Sequence, residues 1–548
     1  MRSIWAVASQ TLSQCLRTKV AAVFAMLLGI SLAALPIVMT GDGTLAGRVR
    51  TFLDYSFSAT SLLLSLVVLS LAIGVVSGDV RDKHVFVLCV KPLGRWQYIL
   101  GRWLGIVLLG GLLLGGSSVW IYGLAQYLRG REDLAIRPED RRAVESEIFT
   151  ARRQVAPKPP DVDQALAARI RKKKADNTWD ETVEAYVTNY GLTRTQATER
   201  LVEDLRKSVL STAQSAGPGR SLVWGFEGIH VVGQPVKGRG TAHRVGRATG
   251  AIEVRAGPDV TSRLIIFGPV WVNGVAGRVV GVWKGGFRSI FHLEDMKGQA
   301  LASVSPDEAV EVTVEPTVQV SYKVSATDGP GGVALRSAWK IENPTTGFVY
   351  DVPPRATPLG QRATIVAPAR AVDDHGNLRV RYLNYSPKTS TTVLFDDVAV
   401  LYEVGNFEAN FLKTVALTLM GLMFLAALGI FAGSALSFPV GCMLCFVLLW
   451  IAAALRFLTE AISSGLTYGG PDEPVALYRV SDVMLRLAKV ALPDLASTLG
   501  TTFLVEGLEI PWAYLGQTAG LTLVLRAAVL LALGCWIFHR RELARVQV

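Results

Sequence analysis

Apolar residues in this chain gather toward its two ends, in runs too long for a strand and too unbroken for a soluble amphipathic helix. Six runs, at 20–40, 59–78, 104–126, 412–434, 438–459 and 515–538, have the ~20 mostly apolar residues that carry a helix across a bilayer. The pattern predicts six membrane helices in two halves, 1–128 and 411–548. Any one such run has a buried core helix as its alternative; six of this length, with few charges, favour spans. The first run begins late and is long enough to span, so no cleavable signal peptide is expected.

Between the halves the pattern changes twice. Residues 129–217 are polar and helix-favouring, with a basic "RKKK" run at 171–174 and an amphipathic stretch near 195–211. A solvated helix face explains the basic run, since no aromatic residue interleaves with it; anionic lipid or glycan is the alternative. From about 218 to 410 the period drops to two. In "VEVTVEPTVQVSYKV" Val312, Val314, Val318, Val320, Tyr322 and Val324 alternate with polar side chains, and Pro316 marks a break. "LRVRY" and "TTVLFDDVAVLYEV" continue the alternation, and turns such as "DGPGG" and "DDHGN" separate the runs. The expected fold is a membrane all-α domain of six helices with an inserted extracytoplasmic α+β region, dominated by an antiparallel β-sandwich.

Composition sharpens this picture. Of 548 residues half are hydrophobic and only 18% charged, and the net charge is +11. Such a charge can mean nucleic acid, but here the cations flank the apolar runs, as on the cytoplasmic side of membrane proteins. Arg2, Arg17 and Lys19 precede the first run; Arg81, Lys83, Lys91, Arg95 and Arg102 lie between the second and third; Arg540, Arg541 and Arg545 follow the last. Residues 463–512 instead carry six acids against three cations. Both termini are therefore expected in the cytoplasm and 129–410 outside, in a multi-pass membrane protein. Cys15, Cys89, Cys442, Cys445 and Cys535 all fall in the membrane halves. The inserted region must hold itself by a core and not by disulfides.

No catalytic or metal-binding set is expected. His230, His243, His292 and His375 are scattered without paired ligand spacing, and the Asp373–Asn377 cluster reads as a hairpin turn. Cys442 and Cys445 lie in a span without a second ligand pair, so they read as small packing residues. The chain has no Gly-Lys dipeptide, which rules out a G-x-x-x-x-G-K-[ST] phosphate loop. Three charges fall in or near the last two spans: Arg526, and the i, i+4 pair Arg456 and Glu460. Arg526 is expected either to face a pathway, paired with Glu460 or Glu506, or to lie near the outer surface. Gly101, Gly105, Gly111 and Gly115 give the third span two small-x-x-x-small pairs, suited to a partner span or to tight packing within the chain.

"SGDVRDKHVFVLCVKPLGRWQYILGRWLG", residues 77–105, joins the second span to the third. Pro92 ends one short helix and starts another, and Trp96, Tyr98 and Trp103 suit the membrane interface. The segment resembles the cytoplasmic loop of type-2 ABC transporter permeases. The resemblance is to the six-span group that includes nitrous-oxide-reductase maturation and gliding-motility permeases. Ser77, Gly78, Asp79, Leu88, Lys91, Pro92, Arg95, Gly101, Arg102 and Gly105 fit the family pattern; Lys83, His84 and Cys89 depart from it. "SIWAVASQTLSQCLRTKV" at 3–20 resembles the family's amphipathic elbow helix, with Ile4, Trp5, Ala8, Leu12 and Leu16 on one face. "FHRRELARV" at 538–546 resembles its basic end. Residues 129–410 are a large insertion by that standard.

The resemblance implies a transport subunit, itself no enzyme, that binds no cofactor. A separate ABC ATPase would carry ATP and Mg and dock on the elbow helix and the 79–102 loop. Asp79, Arg81, Lys91, Pro92, Arg95, Gly101 and Arg102 would form the coupling region, with Arg95 and Arg102 reaching headgroups or the partner. The permease would pair with a second copy or a related permease, as an exporter in the lipid bilayer of a bacterial inner membrane, with a periplasmic protein or glycan at the outer domain and no nucleic acid. Two other functions fit the same residues. One is a membrane-anchored extracytoplasmic binding or structural protein; the other is a mechanotransmitting ABC complex without a transported substrate.

Overall fold

The computed structural model describes residues 2–38, 44–81, 94–131, 144–159, 161–231, 236–244, 252–256, 269–272, 275–285, 288–294, 309–314, 316–326, 335–357, 359–386, 389–468, 483–490, 492–493 and 500–540. The chain forms two units, Met1–Ala151 with Gly405–Val548, and Arg152–Val404.

The first unit is helical. Its main helices are α1 (Arg2–Leu16), α2 (Lys19–Val38), α3 (Leu45–Arg81), α4 (Arg95–Gly130), α5 (Phe407–Ala435), α6 (Phe438–Tyr468) and α7 (Trp512–Arg540). Five of these, α3 to α7, are long and apolar enough to cross a membrane, as a multi-pass membrane protein requires. The expected first span falls on α2, where the apolar stretch that counts is the shorter Ala22–Leu35. Two helices outrun the runs that predicted them. α3 has 37 residues and α4 has 36, about 55 Å each at 1.5 Å per residue, well beyond a ~30 Å hydrocarbon core.

In lipid there is no hydrophobic drive between helices, so close backbone approach has to supply the packing. Gly429 and Gly433 of α5 do this against α3. A Cβ on Gly429 would stand 2.5 Å from Ala72 Cβ, and one on Gly433 2.8 Å from the Ile73 carbonyl oxygen. Around this seam lie Val68, Leu69, Leu425, Ala426 and Ile430, all essentially inaccessible. Aromatic rings close one end of the same helix pair, with Phe57 edge-on to Phe411 at 5.4 Å.

The second unit is an antiparallel β-sheet region with a small helical module. The module comprises Val162–Ala175, Thr178–Tyr190 and Arg194–Gln214 around Leu166, Val183, Ala197, Leu201 and Leu205. Asp161 and Thr193 cap the first and third helices through the N–H groups of Gln164 and Gln196. Part of the basic run turns inward on the module: Lys173 donates to Thr182 at 3.2 Å, and Lys174 lies over the Trp179 ring.

Two four-stranded sheets share one core. One runs in the order Val349–Thr357, Leu335–Glu342, Leu378–Asn384, Ser221–Phe226. The other runs Thr150–Val155, Val398–Asn406, Thr317–Lys323, Arg362–Pro368. Trp339 is the centre of that core, with ring centroids of Tyr322 at 4.2 Å, Tyr382 at 4.9 Å and Trp224 at 6.2 Å. Its indole N–H donates to Ser337 Oγ across a β-bulge. The alternation expected over 218–410 as one sandwich divides instead. Six strands between Val236 and Val314 close into a separate barrel, in the order Val236–Arg244, Ile252–Ala256, Arg288–Glu294, Val275–Gly285, Pro269–Val272, Ala309–Val314. Period-two patterning marks an inside and an outside face but not whether a sheet closes, so sequence could not separate the two bodies.

The Asp373–Asn377 cluster is a turn, as its composition predicts. Gly376 has φ +79° and packs on the Ile229 backbone. The Asp373 carboxylate accepts from the backbone N–H groups of His375 and Asn377, the Asn377 amide and the Thr345 hydroxyl. Desolvation opposes the charge, but those hydrogen bonds outweigh it and hold the carboxyl below its ordinary value.

Two outcomes follow from this packing. Gly433→Val should cost about 1–3 kcal/mol or more by overpacking against immovable backbone, read as a lower melting temperature of the detergent-solubilised chain. Gly116→Val, where a Cβ meets nothing within 4 Å, should leave that melting temperature unchanged. For Asp373 the folded value is depressed, so its stabilisation is full at neutral pH and lost as pH falls through the folded value. The difference in melting temperature between wild type and Asp373→Ala should therefore persist at pH 7 and close only below about pH 4.

Candidate functional site

The sequence directs attention to the base of the 79–102 segment. Lys91 and Pro92 lie outside the described residues. The flanking residues build one buried polar joint within the first unit. Arg102 on α4 and Asp79 near the end of α3 form an ion pair, with side chains 4% and 5% exposed. The Tyr98 hydroxyl donates to the same Asp79 oxygen at 2.5 Å. Arg102 Nη1 donates to Thr11 Oγ1 at 3.1 Å and to Gln14 Oε1 at 2.9 Å, both on α1. Thr11 can accept because its own proton goes to the Val7 carbonyl, 2.7 Å away. One guanidinium thus ties together α1, α3 and α4.

The sequence folds this way because α4 offers α1 a groove. Gly101 and Gly105 leave no side chain on the face where Val7, Ala8 and Thr11 settle. A Cβ on Gly101 would come 2.6 Å from Val7 Cβ, and one on Gly105 2.7 Å from the Ala8 carbonyl oxygen. These two glycines therefore serve packing within the chain. The buried face of α1 is Val7, Ala8, Thr11 and Cys15, rotated from the expected stripe. Trp5 and Leu16 point away from the protein, 61% and 52% exposed. Helical spacing alone could not find this face, since Thr11 is polar and Arg102, which satisfies it, lies far along the chain.

The cationic loop predicts that Arg102 reaches headgroups or a partner; its guanidinium instead lies buried against Asp79. Arg95 also turns inward, donating to the carbonyls of His539 at 2.8 Å and Phe538 at 3.4 Å at the end of α7. That placement suits a cation, which complements the partial negative charge of a helix C-terminus. The Tyr98 ring stacks on Phe538 at 5.5 Å, so α7 joins the same joint. Arg81 is exposed at the end of α3.

At the other end of α5, a second polar set escaped sequence reasoning. Lys413, 8% exposed, donates to the Ile510 carbonyl at 2.7 Å and lies 3.8 Å from Glu509 and 4.7 Å from the Trp512 ring. Asn410 donates to the Leu508 carbonyl at 2.6 Å and accepts from Ile510 N–H at 2.9 Å. One turn of α5 thus holds the main chain of 508–510. The signal was an asparagine and a lysine three residues apart in the first turn of an apolar run. Arg526 lies on a π-helical turn of α7 and donates to the carbonyls of Val490 at 2.9 Å and Lys489 at 2.5 Å. It caps the 483–490 helix by backbone contacts in place of an acid such as Glu506. Arg456 and Glu460 fall on α6, but their side chains lie outside the described residues.

Among the described residues no three His, Cys, Asp or Glu side chains gather as a metal site. The joint can hold helices in register. Comparison with protein-family models, curated proteins and solved structures finds no match for this chain.

The ion pair supplies its own test. Arg102→Met leaves Asp79 charged and buried, and should cost about 3–5 kcal/mol, read as loss of folded chain in detergent. Asp79→Leu combined with Arg102→Met should recover most of that stability. A double variant as unstable as the single one would show that the pair is not the source of the loss.

Proposed function

We propose that this chain is the membrane permease subunit of an ATP-driven transporter, working with a separate ATPase. The observation that carries this reading is the joint of α1, α3 and α4 at Asp79 and Arg102. A helix laid across the bases of two long apolar helices, and locked to both beside their connection, turns a push on that connection into movement of the spans. A separate ATPase would supply the nucleotide chemistry, since these 548 residues contain no Gly-Lys dipeptide and so no G-x-x-x-x-G-K-[ST] loop. In this reading α2 is the sixth span, the cationic 79–102 segment and both termini face the cytoplasm of a bacterial inner membrane, and Arg152–Val404 stands outside with its paired sheets as a β-sandwich. Asp79, Gly101 and Arg102 then act as positioning residues behind the docking surface, and Arg81 with the 82–93 connection meets the ATPase. The permease pairs with a second copy or a related subunit, and an exporter suits an outer domain of this size.

Gentle solubilisation of membranes followed by affinity purification of this chain should bring down an ATP-binding-cassette ATPase. Arg81→Glu should reduce its recovery, with the melting temperature of the permease measured alongside to separate lost docking from lost folding. Recovery of the intact chain with no ATPase would overturn the reading in favour of an anchored binding protein. ATP hydrolysis by the complex that no candidate substrate stimulates would favour force transmission over transport.

A further inference from the structure

The sheet ordered Val349–Thr357, Leu335–Glu342, Leu378–Asn384, Ser221–Phe226 turns one face to the core around Trp339 and the other outward. The outward face breaks a rule of sheet design. Lys340 and Arg381 stand directly opposite each other on the two central strands, and like charges so placed destabilise a sheet. Each is offset from one side only, Lys340 by Asp351 at 3.6 Å and Arg381 by Glu342 at 3.1 Å. Arg379, directly opposite Glu342, and Arg336, toward the other end of the same strand, are exposed on this face. Neither makes an ion pair among the described residues. Four cations therefore face two carboxylates, spread over ~20 Å of strand at roughly 3.4 Å per residue. Tyr385 and Val223 lie beside them, 52% and 49% exposed.

We propose that this face docks a protein partner presenting a carboxylate-rich surface. The cation excess selects an acidic partner, and the in-register Lys340 and Arg381 gain counter-charge beyond the single carboxylate each has in the free sheet. The apolar content selects a protein over an anionic polysaccharide. Tyrosine and arginine are the side chains that protein interfaces enrich, and Val223 has nothing to offer a sugar hydroxyl. The proposal stands apart from the permease reading, since an anchored binding protein would use the same face.

The test uses the full-length chain in nanodiscs of zwitterionic lipid, titrated with fluorescent poly-L-glutamate and followed by anisotropy. Saturable binding that weakens with added salt is expected. Arg336→Glu with Arg379→Glu should weaken it by about tenfold or more, whereas Arg379→Lys should keep most of it. Lys172→Glu, on the helical module, should leave it unchanged. Equal affinity in wild type and the double reversal overturns the proposal. So does binding of dextran sulfate, sensitive to the same reversals, where poly-L-glutamate does not bind; that outcome would make the face a polysaccharide reader.

Discussion

The helical unit depends on a buried ion pair. Taking Asp79 and Arg102 out of water is expensive, and their mutual attraction offsets that only where the geometry is good and the remaining donors are satisfied. Here Tyr98, Thr11 and Gln14 supply most of those contacts from two helices, and among the described residues Arg102 Nε alone of the guanidinium nitrogens has no partner. A pair of leucines could hold the helices at least as firmly. What the charges add is uniqueness, because a slide of α1 by one residue leaves Arg102 facing the wrong side chains. The joint is an index mark more than an adhesive.

The glycines make the index readable. Gly101 and Gly105 bring α1 close enough to α4 for Arg102 to reach Thr11, while Gly429 and Gly433 fix α5 against α3. Through α3 the two contacts share one rigid rod, and through Tyr98, Arg95 and Phe538 the end of α7 is held to it. Asn410 and Lys413 then grip the 508–510 main chain from the opposite end of α5. A displacement at the α3–α4 connection meets few loose joints on its way to the segment before α7, because packed helices shift as bodies and not by local give.

Much of this was legible in the sequence, in unequal measure. Long apolar runs marked the helices because hydropathy reports the solvent a segment must tolerate, and five are long and apolar enough to span. Period two marked the strands, and Gly376 with its neighbours marked a turn. Closure of the Val236–Val314 barrel left no signal, since its strands alternate like those of an open sheet. At the candidate site, the residue types were visible but their direction was not. Their place in a basic segment predicts outward cations at Arg95 and Arg102. Each instead meets a partner hundreds of residues away or on another helix, and such contacts have no local signature. Lys413 was hidden for the opposite reason, as one charge at the margin of an apolar run.

The same asymmetry bears on how a basic membrane protein should be read. Cations near helix ends are counted for topology as if all were solvated, yet two of the best candidates here spend their charge on Asp79 and on the end of α7. Among the described residues the exposed cations of the helical unit's ends include Arg2, Arg17, Lys19, Arg81 and Arg540, spread over several helix ends. In the permease reading a partner at this end reads shape as well as charge, and the shape is set by the α1 groove. On that reading, removing the groove glycines would disturb recognition without touching a single exposed cation, which separates an indexed surface from a merely positive one.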